Sequence, residues 1–143
     1  MHDFKAFPEL TNNQMQLYYF DSPHKQIFEN FRGRVIRVID GDTIRITHPE
    51  RDFDFPLRLA NVAAAEIKEG GVESKIWLES KILKKDVDVV INQRNRVGKW
   101  GRIIGTIWSD GININEQSIN ERQSIEFGKE EFDFNEILER HKI

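Results

Sequence analysis

Val35 to Ile46 reads VIRVIDGDTIRI, two β-branched runs on either side of Asp40-Gly41-Asp42. Valine, isoleucine and threonine favour a pleated strand, and Asp-Gly is a strong short signal for the tight turn of a hairpin because glycine accepts positive φ without steric cost. On this reading Asp42 opens the second strand, so a carboxylate is held on rigid backbone beside a sharp bend. That is a suitable place for a ligand to a hard cation. Asp-Gly turns also occur with no ligand at all, so the rest of the chain has to decide the matter.

Beyond the hairpin, Phe53 to Val62 alternates Phe53, Phe55, Leu57 and Leu59 with Asp54, Pro56, Arg58 and Ala60, the pattern of a third strand with one buried face. Arg58 then faces away from the apolar row. Pro56 donates no hydrogen bond, which predicts an edge strand or a bulge. After Ala63-Ala64-Ala65-Glu66 and the Gly70-Gly71 break, Val72 to Lys85 places Val72, Ile76, Leu78, Ile82 and Leu83 in one helical stripe. Trp77 falls outside that stripe, as a second packing contact or a base-stacking platform. Val87 to Ile91 reads as a fourth strand. Arg94, Arg96, Lys99 and Arg102 around Trp100 then suit a nucleic-acid backbone or a merely solvated loop. Ile103 to Trp108 makes a fifth strand, turned back at Asp110-Gly111, and Asn113 with Glu116 resembles a capping box opening a helix over Ile114 to Ser124.

These elements predict an α+β, mainly β fold: a five-stranded OB-type Greek-key barrel with two or three flanking helices. Three parts are expected: an aromatic N-terminal arm over 1–30 docked on the core, a barrel over 31–125, and a C-terminal helix over 126–143 with Phe127, Phe134, Ile137 and Leu138 on one face. A chain of 143 residues can bury a core of its own. It has no cysteine, which excludes disulfides, thiolate metal sites and thiol catalysis. The four histidines are scattered and show no helical ligand spacing, so a histidine zinc site is not expected. A formal charge of −3 argues against a polyanion binder working by long-range attraction, while leaving room for a local basic site. No signal-like or membrane-spanning stretch is seen, which predicts a cytoplasmic protein with no membrane partner.

Four motifs occur in one order: Asp40-Gly41-Asp42-Thr43, Arg58-Leu59, Lys99-Trp100-Gly101-Arg102, and Asp110-Gly111 followed by Asn115-Glu116. Together, over about Phe31 to Gln123, the chain resembles the staphylococcal nuclease (thermonuclease) family. That resemblance implies an OB-type barrel acting as a calcium-dependent endonuclease on DNA or RNA, leaving a 5′-hydroxyl and a 3′-phosphate. It implies Asp42 as a Ca2+ ligand, together with the backbone carbonyl of Ala64, and Asp40 and Thr43 in support. Glu66 would orient or deprotonate the attacking water, and Arg58 and Arg102 would grip the scissile phosphate. Lys99, Trp100 and Arg96 would contact the nucleic acid. The residue types suit the chemistry, since guanidiniums and a divalent cation stabilise the charge that builds on phosphate oxygens as water attacks.

One departure stands out. Where the family pattern reads Asp-Ala-Pro-Glu, this chain has Ala63-Ala64-Ala65-Glu66, so Ala63 occupies the position of a second metal-binding carboxylate. A methyl group supplies neither oxygen nor charge to a hard cation. Impaired metal binding and turnover are therefore expected. Two alternatives follow: a barrel that grips single-stranded nucleic acid without cutting, and a protein-interaction scaffold using the aromatic arm or the acidic C-terminal segment.

Overall fold

The computed structural model describes residues 2–64, 71–98 and 101–126. Its strands are β1 (Phe31–Asp40), β2 (Thr43–Ile46), β3 (Phe55–Leu59), β4 (Val62–Ala63), β5 (Asp86–Val90), β6 (Ile103–Ser109), β7 (Ile112–Asn113) and β8 (Ile125–Glu126). Three α-helices accompany them: α1 (Asn12–Tyr18), α2 (Gly71–Ile82) and α3 (Ile114–Asn120). The sheet runs β3-β2-β1-β5-β6-β7, and a parallel pairing of β3 with β6 closes five of these strands into a barrel. The expected OB-type barrel is therefore present, with β7 added outside the closure and β4 paired separately with β8.

Alternation along each strand builds the core. Val35, Val38, Ile44, Ile46, Leu57, Leu59, Val87, Val89, Ile103 and Ile107 all point inward and are buried. Each such side chain contributes about 1.5–3 kcal/mol by leaving water. The opposite pleat of β2 and β3 carries Thr43, Arg45, Pro56 and Arg58, with Thr43 opposite Arg58 and Arg45 opposite Pro56. The barrel wall thus presents a polar strip on its outside.

Several sequence expectations change here. β3 is an interior strand, paired on both sides, and Pro56 is accommodated because the ladder to β6 starts one residue later, at Leu57. Asp42 belongs to the turn, since β2 begins at Thr43. Helix α2 ends at Ile82, and its buried residues are Gly71, Ser74, Leu78 and Ile82. Val72 and Ile76 are exposed. Ser74 takes the inward place because its hydroxyl donates to the Gln123 carbonyl and because the β1–β2 turn presses against it. Trp77 packs partly against the core and donates to Glu121 beyond α3. Helix α3 stops at Asn120, short of the expected Ser124, with Asn113 accepting from the Glu116 amide at 3.0 Å as its cap.

The arm, expected as an aromatic segment docked on the core, contains α1, opened by a full capping box between Thr11 and Gln14. Glu9 and Leu10 of the arm are buried. The Glu9 carboxylate accepts from Arg51 and, at 2.7 Å, from Arg96. Arg96 donates further to the Leu10 carbonyl at 2.6 Å and the Ile27 carbonyl at 2.8 Å. Burial pushes the Arg96 guanidinium down from its ordinary pKa, and the charge of Glu9 opposes that shift. Removing one partner of such a buried pair costs about 3–5 kcal/mol. The expected C-terminal helix over 126–143 lies, beyond Glu126, outside the described residues.

Candidate active site

Hairpin β1–β2 and strand β3 bring four polar side chains to one end of the outer strip. Asp42 occupies the second position of the turn, and its carboxylate is held from three sides. Its Oδ1 accepts from the Thr43 hydroxyl at 3.0 Å, its Oδ2 accepts from the Ala64 amide at 2.9 Å, and Arg58 Nη2 lies 3.5 Å from Oδ2. Arg58 is itself fixed, since its Nη1 donates to the carbonyls of Leu59 at 2.9 Å and Val62 at 2.6 Å. Arg102, from the segment entering β6, donates to Thr43 Oγ1 at 3.3 Å. Thr43 therefore links the second guanidinium to the Asp42 carboxylate. Residues 59 positions apart in the sequence meet because β3 pairs with β2 on one side and β6 on the other.

Asp40 closes the group from β1, with its Oδ1 accepting from the Asp42 amide at 3.0 Å. Its carboxyl is pushed up to about 6, first by burial, then by hydrogen bonding to Asp42 and by that neighbour's charge. The Asp42 amide and the Arg58 charge pull the other way without cancelling the rise. Two carboxylates crowded together away from water resist ionising together. A cation placed between them would relieve that repulsion.

The donors are hard oxygens, the kind that suits calcium or magnesium. Among the described residues, no group of three or more acidic or histidine side chains assembles into a metal site. The donor set is right in kind and short in number. Ala63 is buried in β4, and Ala64 engages Asp42 through its amide, so neither residue brings a carboxylate to the group.

Of the residues singled out from the sequence, Asp40, Asp42, Thr43, Arg58, Ala64 and Arg102 come together. Glu66, Lys99 and Trp100 lie outside the described residues. Arg96 does not belong with them. Its side chain is 1% exposed and serves the Glu9 pair, so the expectation of a nucleic-acid contact there is corrected. Alternating basic and aromatic residues look alike whether they face water or a buried acid. The signal that could have found the pairing is Glu9 itself, an ionisable residue between Pro8 and Leu10.

Two proteins of Escherichia coli, each named "Uncharacterized endonuclease", are similar to this chain. One is 37% identical over 89 residues, covering 61% of this chain and 55% of the relative. The other, from the O157:H7 strain, is 36% identical over 89 residues with the same coverage. The chain thus spans about half the length of the curated relatives it matches. No family model matches it.

Proposed function

We propose that this chain is a nuclease domain of the staphylococcal type, built to hydrolyse phosphodiester bonds in DNA or RNA with the help of calcium. The observation that carries the reading is the convergence of Asp42, Thr43, Arg58 and Arg102 on one patch of the outer barrel wall. The endonuclease name of two relatives supports it.

In this reading the two guanidiniums bind the phosphate, each able to offer paired N–H groups to its oxygens, and their charge persists at any physiological pH. Both are held before substrate arrives: Arg58 by backbone carbonyls and Asp42, Arg102 by Thr43. Donors fixed in advance stabilise developing charge without reorganising. Asp42, Asp40 and the Ala64 carbonyl would hold the cation. When bound, calcium acts as a Lewis acid on the phosphoryl oxygen. Glu66 is assigned to orienting or deprotonating water, from its place in the motif.

The missing carboxylate at Ala63 lowers metal affinity in this proposal, by more than the roughly 10–100-fold typical of lost supporting interactions. Cleavage of a labelled oligonucleotide, measured with calcium and with chelator, tests the reading. Ala63→Asp should raise calcium-dependent turnover, and Asp42→Ala should abolish it. Failure of Ala63→Asp to increase cleavage, together with no cleavage by the unaltered chain at any calcium concentration, would favour the non-cleaving binding module instead. Ala63 is the specific observation behind that second reading. Steeply salt-dependent binding without product would be its signature.

A further inference from the structure

A cavity of about 390 Å³ opens between the arm and the barrel wall, lined by Phe4, Lys5, Pro8, His24, Arg45 and Phe53 among others. It lies on the same outer strip as the arginine and carboxylate group. Arg45 follows Thr43 by two residues along β2 and pairs with Pro56, just as Thr43 pairs with Arg58. The two positions are therefore separated by about 7 Å along the strand. The arm also reaches the loop that carries Arg102. A Cβ added at Gly101 would lie 3.1 Å from Phe7 Cβ. One surface thus runs from Asp42 and Arg102 past Arg45 into a pocket walled by Phe4.

The lining has the character of a base pocket. Phe4 is half-buried and meets its ring neighbours His2 and His24 at 69° and 89°, so neither lies parallel on it. His24 in turn meets Phe53 at 66° and is fixed by a 2.8 Å contact from Nε2 to the Pro8 carbonyl. Arg45 is held by Asp54, donating to its carboxylate and, at 3.0 Å, to its carbonyl. Lys5 is exposed at the edge. Aromatic rings, a guanidinium and an exposed ammonium beside a phosphate grip suit an unpaired base and the backbone that follows it. The volume falls in the range of ligand pockets, ~300–1,000 Å³.

We propose that the N-terminal arm completes a substrate site: an unpaired nucleobase of a single-stranded nucleic acid enters this cavity and stacks on Phe4 while a neighbouring phosphate lies on Arg58 and Arg102. The cavity gives the substrate class, a strand with an accessible base rather than an intact duplex. This inference rests on the phosphodiester reading for the position of the backbone.

The test uses fluorescence anisotropy of a short single-stranded oligodeoxynucleotide and of its abasic counterpart, in chelator so that neither is cut. The full chain, Phe4→Leu and Arg58→Ala are compared, with thermal unfolding run alongside. Phe4→Leu keeps apolar volume in the arm and removes the π-face. It is expected to weaken binding of the normal strand by about 5- to 100-fold, one stacked base, and to leave the abasic strand unchanged. Arg58→Ala is expected to weaken both. Equal effects of Phe4→Leu on the two strands, or none on either, overturn the base pocket. If Arg58→Ala then still weakens both strands, the phosphate reading survives it. Failure of the unaltered chain to bind either strand overturns both.

Discussion

Asp-Gly occurs at two hairpins in this protein, and the same dipeptide does different work in each. At Asp110-Gly111, between β6 and β7, both residues have positive φ, 51° and 78°, and a Cβ on Gly111 would meet nothing within 4 Å. Glycine is there for backbone conformation, in the manner of a tight two-residue turn. At Asp40-Gly41 the glycine does not adopt positive φ. A Cβ there would lie 2.6 Å from the Cβ atoms of both Ala64 and Ser74. Glycine is required because β4's continuation and helix α2 close over the turn. One turn is free in water, and the other is clamped between two elements with carboxylates on either side. Identical local chemistry becomes a site only when tertiary packing confines it.

The sharpest way to break this contrast is Gly41→Ala. Two carbon contacts at 2.6 Å cannot be absorbed without moving α2 or the Ala64 backbone that binds Asp42. Overpacking of this kind costs about 1–3 kcal/mol, and the upper end is expected, read as a lower urea midpoint with an unchanged slope. A fully stable Gly41→Ala chain would show that the turn is not clamped.

Next in size is Asp40→Asn, which tests the charge that confinement creates. The unfolded acid titrates near its ordinary 3.8, and the folded one is pushed up to about 6. Between those values the native chain holds a proton that the unfolded chain has released, so stability falls as pH rises through that window. Asp40→Asn should therefore stabilise the fold by about 1–2 kcal/mol near neutral pH, after allowing for the solvent screening of a partly exposed group. Near pH 4 the gain should be much smaller. Denaturation curves at the two pH values read it, and equal gains at both would contradict the assigned cause. Calcium added at neutral pH should raise the melting temperature of the unaltered chain more than that of Asp40→Asn.

The smallest effect belongs to the free turn. Gly111→Ala meets open space but keeps a positive φ, so its cost is about 1 kcal/mol, from backbone strain alone. Asp110→Asn should stay within about 0.5 kcal/mol, because asparagine tolerates that conformation. Neither change should alter oligonucleotide binding.

Much of the barrel was legible because strands announce themselves by alternation. The inward rows of β2 and β3, and the outward placement of Arg58, follow from a period of two. Helix α2 is legible as a helix, and of its expected stripe Leu78 and Ile82 are buried while Val72 and Ile76 are exposed. An apolar stripe of Val72, Ile76, Leu78 and Ile82 fits the sequence, yet the turn at Gly41 demands a small residue opposite it, and Ser74 turns inward instead. Arg96 was misread for a related reason, since its acid lies 87 residues away in the arm. Helix α1 buries none of its residues, so no apolar stripe marks it in the sequence beside its capping box at Thr11.

From its residues alone, the chain specified five alternating strands, the positions of its turns, a charge balance without cysteine, and which acids and guanidiniums to watch. These depend on the few residues either side of each position. The parallel closure of β3 on β6, the meeting of Arg102 with Thr43, the clamp on Gly41 and the pairing of Glu9 with Arg51 and Arg96 were settled only by the folded chain. Contacts between distant segments depend on how whole elements pack, and short-range sequence patterns carry no record of the partner.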